Sequence, residues 1–421
     1  MGDTIELAAR VGIDWADDHH DFCLQETGSS RTEAGRIPQT PEAVAEWVAG
    51  LRQRFGGRHV GICLETKRGA LVSALMEHDF IVLFPVNPRT LKRFREAFAP
   101  NGAKDDPNDA HLLLELLSKH EDRLHRWIPD DAETRAIARL AEARRKAVDL
   151  RTHLINQLMA ELKGYFPQAL SWAGELDTQL ATDFLQRWPT LQDVRREKVQ
   201  TIRKFYYGHN CRRADLIEQR IEEIRAAVAL TNDPAIVETS ALNVQVLARQ
   251  IEALRSGIGR YDKEIAGRFG KHPDAPLFES LPGSGAAMAP RLLSAFGSKR
   301  DRFQAASEVQ EYSGIAPVTR RSGKQCQTTW RWGAPRFVRQ SFHEFARLSI
   351  QHSAWARAYY EQQRERGNSH HAAIRALAFK WIRIIYRCWK ERTVYDEARY
   401  IQALWAQHSS LVKRLSPATA A

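Results

Sequence analysis

Early in the chain, apolar positions come in short runs divided by polar turns, and the period of the runs changes along the sequence. Residues 9–27 alternate around Val11, Ile13, Phe22 and Leu24, the two-residue period of half-buried strands. The alternation breaks at Asp17-Asp18-His19-His20, which predicts two strands and a turn. From Pro41 to Phe55 the spacing widens to three and four through Val44, Trp47, Val48 and Leu51. Thr40 stands where a helix cap belongs and Pro41 at the first helical position. Val60 to Leu64 reads as a strand, Ala70 to Glu77 as a helix and Phe80 to Pro85 as a strand. Strands alternating with helices predict a mixed α/β domain around a central sheet. It closes near Arg126-Trp127-Ile128-Pro129.

Beyond that point the helical period takes over. Ile137, Leu140, Ala147, Leu150, Leu154, Leu158 and Leu162 predict one long amphipathic helix from Asp130 to Lys163. A second stretch, Arg213 to Ile265, is interrupted at Thr231-Asn232-Asp233-Pro234. Paired long stripes of this kind form bundles or antiparallel coiled coils. Three regions follow: an α/β domain over 1–128, a helical or coiled-coil stalk with an assembly role over 129–275, and a mainly α domain over 276–421. The adjacent pairs His19-His20 and His370-His371 read as solvated surface histidines, because neighbours on one element diverge in direction.

Charge sharpens this division. The chain has 421 residues and a formal net charge of +11. Residues 1–110 carry 13 Lys and Arg against 17 Asp and Glu, a net of −4, whereas residues 281–421 carry 23 against 9, a net of +14. A basic surplus interleaved with Trp330, Trp332, Trp381 and Trp389 points to a nucleic-acid partner. The five cysteines have no short pair spacing, which argues against a zinc site or a disulfide framework. Cys63, inside a predicted buried strand, reads as a small apolar filler. With no signal pattern and no apolar run of spanning length, a reduced cytoplasmic protein without a membrane partner is expected.

The acidic half holds the candidate chemistry. Asp14 ends the run Val11-Gly12-Ile13-Asp14, and Glu65 ends Val60-Gly61-Ile62-Cys63-Leu64-Glu65, so each sits at a strand tip. Asp106 and Asp109 lie three apart at the start of a leucine-rich helix and share a helix face. Each has a plainer reading as a turn or capping residue. Together, four carboxylates repel one another unless a cation neutralises them, and hard oxygen ligands select Mg²⁺ or Mn²⁺. Two such ions clamp the attacking and leaving oxygens in phosphodiester chemistry. The set predicts a metal-dependent site acting on DNA.

Two further motifs lie in the basic half. Leu281-Pro282-Gly283-Ser284-Gly285, ahead of an alanine-rich helix, resembles the turn of a helix-hairpin-helix element, where backbone N–H groups hold a phosphate through Gly283 and Gly285. Ser322 stands in a short loop among Arg320, Arg321 and Lys324, with Arg331 nearby. It is either a basic surface turn or a phosphate-facing hydroxyl whose cations stabilise transition-state charge.

In their order, these motifs resemble the DEDD-type transposases of insertion sequences. In that family a RuvC-like (RNase H-like) nuclease domain precedes a coiled coil and a serine-bearing transposase domain, and the family is viewed as bridge-RNA-guided recombinases. The match runs from Val11-Gly12-Ile13-Asp14 through Leu64-Glu65-Thr66, Val86-Asn87-Pro88 and Lys104-Asp105-Asp106-Pro107-Asn108-Asp109-Ala110. It continues in Leu281-Pro282-Gly283-Ser284-Gly285, the segment from Tyr312 to Pro317, Ser322-Gly323, and Gly333 followed by Arg339. The Lys-x-Asp-x-x-Asp-Ala signature selects Asp106 over Asp105 as the third acid, with Asp105 an additional one. Ser284 replaces the usual apolar residue of the hairpin. The resemblance implies that the acids hold divalent metal, that Ser322 forms a phosphoserine link to DNA, and that strand exchange passes through a junction. It also implies that a homo-oligomer, dimer or tetramer, combines the nuclease domain of one subunit with the serine domain of another, and that a non-coding guide RNA selects the DNA. Two alternatives remain: a junction nuclease of RuvC type without serine chemistry, and a non-catalytic nucleic-acid-binding protein.

Overall fold

A computed structural model describes residues 5–65, 69–98, 106–323, 325–329, 331 and 333–415, without the side chains of Phe98, Asp106, Pro107, Asn108, Arg320 and Cys326. The chain divides into two compact units, Met1–Asp131 with Val318–Ala334, and Ala132–Pro317 with Pro335–Ala421.

In the first unit, β1 (Ala9–Trp15), β2 (His19–Glu26), β3 (Thr32–Pro38), β4 (Val60–Leu64) and β5 (Ile81–Pro85) form one sheet in the order β3-β2-β1-β4-β5. The pairings β1–β2 and β2–β3 are antiparallel, while β1–β4 and β4–β5 are parallel. The helices are α1 (Pro41–Phe55), α2 (Ala70–Leu75), α3 (Pro88–Phe98) and α4 (Asp106–His120). Alternation along the strands divides the side chains between two faces. Ala9, Val11, Ile13, Val60, Ile62 and Leu64 pack with Val44, Val48 and Leu51 of α1 and Leu71, Val72 and Leu75 of α2. On the opposite face Cys63, Val82 and Phe84 pack with Leu112, Leu113, Leu116 and Leu117 of α4. Cys63 is fully buried there, and burial pushes its thiol up to about 12. The start of α1 is as the sequence predicts: the Thr40 hydroxyl accepts from the Ala43 N–H at 3.2 Å, with Pro41 leading the first turn.

Strand β3 is an element the alternation does not reveal. It is an edge strand on which only Ile37 is buried, so its polar sequence carries no core-facing period. Also in this unit, β6 (Val318–Ser322) and β7 (Gln325–Thr329) form an antiparallel hairpin.

The second unit is helical among its described residues. Its long helices are α5 (Ala132–Tyr165), of 34 residues, and α11 (Pro234–Phe269), of 36, which pack against each other. Between them come α6 (Ala169–Trp172), α7 (Gln179–Arg187), α8 (Leu191–Arg196), α9 (Val199–Gly208) and α10 (Ala214–Ala226). The pattern over 166–212 alone predicts no element, yet these short helices surround the long pair with a core. Trp172, Phe184, Trp188 and Tyr206 meet Leu158, Leu162, Val244 and Ile251 in it.

A second core gathers α12 (Ala275–Glu279), α13 (Gly285–Phe296), α14 (Ala306–Tyr312), α15 (Arg336–His352), α16 (Ala354–Glu365), α17 (His370–Glu391) and α18 (Glu397–Ala406). Ile137 and Ala141 at the start of α5, with Ile265 and Phe269 at the end of α11, join it. Among the described residues no helix is long and apolar enough to cross a membrane.

Candidate active site

The first unit brings the predicted acids to one edge of its sheet. Parallel pairing sets Ile13 of β1 beside Leu64 of β4, so Asp14, still within β1 opposite Asp21 of β2, and Glu65, just past the end of β4, stand at the same level. Alternation gives Arg10, Gly12 and Asp14 one face and Gly61, Cys63 and Glu65 the same face. That face is the one under α4. A β-carbon on Gly12 would collide with the carbonyl of Ala110 and the amide of Leu114, so the start of α4 lies directly on the strand because residue 12 has no side chain. At the far end of α4, Glu121 accepts from Arg10 Nε at 3.0 Å. The helix therefore runs opposite to β1 and carries its N-terminal acids towards Asp14.

Asp109 sits in the first turn of α4 and is 4% exposed. Its two carboxylate oxygens accept from one guanidinium, that of Arg95 on α3, with Arg95 Nε to Oδ1 at 2.9 Å and Arg95 Nη2 to Oδ2 as the second contact. A planar guanidinium matches a carboxylate bidentately, and this pairing neutralises a charge that burial would otherwise penalise. Arg95 is the residue sequence reasoning missed, since one arginine on a cationic helix carries no spacing signal. Asp106 begins α4, but its side chain lies outside the described residues, as does all of Asp105. Asp14 and Glu65 are each half-buried.

As a donor set these acids suit a hard divalent ion, being carboxylate oxygens only. Among the described residues, however, no three histidine, cysteine or acidic side chains already stand as a metal-holding group.

Ser322 is the last residue of β6, paired with Gln325, and is exposed at the turn of the hairpin. The short loop expected from sequence is the tip of a two-stranded ribbon. Arg321 is exposed beside it and Arg331 is half-buried, while Lys324 and the Arg320 side chain lie outside the described residues. Gly333, beyond the hairpin, is so close to Asn87 that a β-carbon there would sit 3.4 Å from the Asn87 amide nitrogen. Asn87 follows the end of β5 and caps α3, its side-chain oxygen accepting from the Arg89 N–H at 2.9 Å. The segment carrying Ser322 thus ends against the sheet edge from which the acids emerge.

In the second unit, Gly283 and Gly285 form the turn between α12 and α13. Gly283 has φ +79, and a β-carbon on it would press to 2.9 Å from the His352 ring and 3.3 Å from Leu348 backbone. Packing against the end of α15 therefore demands a glycine at 283. Gly285 opens α13 with free space beside it.

Two expectations need correction. Trp381 and Trp389 are fully buried, Trp381 against Phe345, Trp355 and Tyr395, and Trp389 against Phe296, so both belong to the core and offer no stacking surface to a nucleic acid. Trp330 and Trp332 lie outside the described residues. His20 is 1% exposed rather than solvated. Its Nδ1 accepts from the Ala16 N–H at 3.3 Å, its Nε2 faces Gln39, and burial holds its pKa below the usual histidine value.

Comparison with known proteins shows what the chain is similar to. A transposase model of the DEDD type matches residues 11–167, and a model described as the transposase IS116/IS110/IS902 family matches residues 275–361. The mini-circle putative transposase for IS117 of Streptomyces coelicolor is 28% identical over 93% of this chain and 96% of its own length. The putative transposase y4uE of Sinorhizobium fredii is 30% identical over 51% of this chain and 60% of its own length. The uncharacterized 43.6 kDa protein of insertion element IS110, also from Streptomyces coelicolor, is 23% identical over 94% and 97% respectively. With both domain models in order and relatives matched along nearly the full length, the chain belongs to the IS110/IS116/IS902 family of insertion-sequence transposases.

Proposed function

We propose that this transposase cuts and rejoins DNA at a centre that combines the acidic edge of the N-terminal sheet with the Ser322 hydroxyl. The observation that carries the reading is the convergence of Asp14, Glu65 and the Asp109 end of α4 on one face, across 95 positions of sequence. Asp14, Glu65 and Asp106 would hold Mg²⁺ or Mn²⁺, joined by Asp109 once Arg95 releases it. A divalent ion bound there supplies Lewis-acid polarisation of a phosphoryl oxygen.

Ser322 Oγ forms the new bond to the scissile phosphorus as the DNA sugar oxygen leaves and takes a proton. The resulting phosphoserine diester keeps the bond energy for rejoining. Arg320, Arg321, Lys324 and Arg331 neutralise the phosphate, and the Gly283-to-Gly285 turn holds the DNA backbone. The finer readings of the resemblance belong to the same proposal: a homo-oligomer in which acids and serine come from different subunits, and a non-coding RNA that selects the DNA. Exposed Leu242 and Val246, one turn apart on α11, support an assembly role for the long helices.

Asp14→Asn and Glu65→Gln test the proposal. Each should abolish Mg²⁺-dependent DNA cleavage while DNA affinity stays near wild type, because an amide is a poor ligand for a hard cation but keeps the size of the side chain. Cleavage that survives both substitutions refutes the acidic centre.

A further inference from the structure

Antiparallel pairing brings a further acid to the face that carries Asp14 and Glu65. Asp21 of β2 stands directly opposite Asp14 of β1, and directly opposite residues turn their side chains to one face of the sheet. Its neighbours on the strand identify that face. Cys23, opposite Gly12, packs with Ala110 and Leu114 of α4. Gln25, opposite Arg10, accepts from the Ser118 hydroxyl at 3.2 Å. Asp21 is the next residue of this face towards the start of α4. It therefore shares both the face and the level of the candidate site.

Asp21 is 9% exposed, and each of its oxygens faces a basic side chain. Oδ1 accepts from Nε of Arg36, its partner on β3, at 3.0 Å, and Oδ2 lies 3.5 Å from His19 Nε2. Both counter-charges are partial. The Arg36 side chain is 60% exposed, so water screens it, and His19 is charged only when protonated.

A plainer reading is an ion pair that fastens the edge strand β3. It does not explain the position. Carboxylates directly opposite each other destabilise a sheet, and an ion pair with one exposed partner stabilises it little. A divalent cation reverses the balance, because every negative charge nearby lowers the energy of the ion at Asp14 and Glu65. We propose that Asp21 is a positioning residue of the acidic edge. From the strand beside Asp14 it supplies negative charge that draws a divalent cation to the site, and Arg36 sets how much of that charge the ion meets. The inference rests on the acidic centre proposed above and adds to it a residue that acts through Asp14 and Glu65.

The test titrates Mn²⁺ into the full chain without DNA and reads the free ion by electron paramagnetic resonance, with circular dichroism as a check on folding. Asp21→Asn should weaken Mn²⁺ binding about tenfold, and Asp21→Glu should keep most of it. Arg36→Gln should tighten binding about threefold, because the carboxylate then acts without its screen. Glu33→Gln removes the same charge from the opposite face of β3, where Glu33 stands beside the core residue Leu24, and should change little. A merely structural ion pair moves Asp21→Asn and Arg36→Gln in the same direction, so opposite signs are the discriminating result. Equal or weaker binding in Arg36→Gln overturns the inference, and that arm holds even where Asp21→Asn fails to fold. Binding in Asp21→Asn no weaker than in Glu33→Gln overturns it as well. Asp14→Asn separates the two readings. Unchanged Mn²⁺ binding there refutes the acidic centre itself, whereas binding lost in Asp14→Asn but kept in Asp21→Asn removes Asp21 alone.

Discussion

The acidic edge of the N-terminal sheet and the tryptophan-bearing helices of the C-terminal unit both join chemistry-rich residues to apolar ones, yet they fold by different logic. At the sheet edge, a strand has only two faces, so the position of Asp14 one residue past Ile13 fixes which way its carboxylate turns. On α17, Trp381 and Trp389 share a sequence neighbourhood with Lys380 and Arg387, but the helix turns the rings into the core and leaves the cations at its surface. Chemistry at the end of a strand can be read from order alone. Chemistry on a helix needs the wheel, and a tryptophan beside a cation is no sign that the two share a partner.

Trp381→Ala separates the two regions most sharply. Removing a fully buried indole should cost about 3–5 kcal/mol in chemical denaturation, with the salt slope of nucleic-acid binding unchanged while the protein stays folded. A stacking role predicts the reverse, little loss of stability and weaker binding.

At the sheet edge the corresponding substitution is Arg95→Gln. It leaves the buried Asp109 carboxylate without its cation, at a cost of about 3 kcal/mol in EDTA. Mg²⁺ should restore much of the melting temperature of this variant while shifting that of the wild type less, because the ion then takes over the role of Arg95. A variant equally stable with and without Mg²⁺ would show that Asp109 does not face a metal site.

Gly12→Val should cost about 1–3 kcal/mol, since a side chain there must push α4 off the strand. Cleavage should fall further than stability does, because the displaced helix carries Asp106 and Asp109. If cleavage is unchanged in the folded variant, the seating of α4 does not set the site.

The smallest effect is electrostatic. His20 is buried beside His19 and Asp21, and its folded pKa lies below the unfolded value near 6.5. Its contribution is therefore fully present above pH 6.5 and is lost as pH falls through the lower folded value, because the unfolded chain takes up the proton first. The melting temperature should decline on acidification through that window, and His20→Gln should reduce the decline. An identical pH profile would place the sensitivity elsewhere.

These outcomes bear on what order and period can reveal. The strands at β1, β4 and β5 and the cap of α1 were legible because buried parallel strands are short apolar runs and Thr40-Pro41 is a specific helix start. So were the long helices α5 and α11, whose stripes hold their period over many turns. Strand β3 and the β6–β7 hairpin were not, since edge and ribbon residues face water and keep no alternating core. The short helices α6 to α9 give too few turns for a period to register. Of the candidate site, the placement of Asp14 and Glu65 at the ends of β1 and β4 could be read from sequence. Arg95 could not, because its role arises from a meeting of α3 with α4 that no local spacing encodes.

The central claim, that Ser322 and the acids act in one reaction, meets its most direct test in a denaturing gel of wild type, Ser322→Ala and Asp14→Asn incubated with labelled insertion-sequence DNA and Mg²⁺. A denaturation-resistant protein–DNA adduct should form with wild type alone and be absent from both variants. Mixing the two variants should restore part of it by pairing an intact acidic edge with an intact serine. An adduct that persists in Ser322→Ala would contradict the account and leave a metal nuclease without serine chemistry.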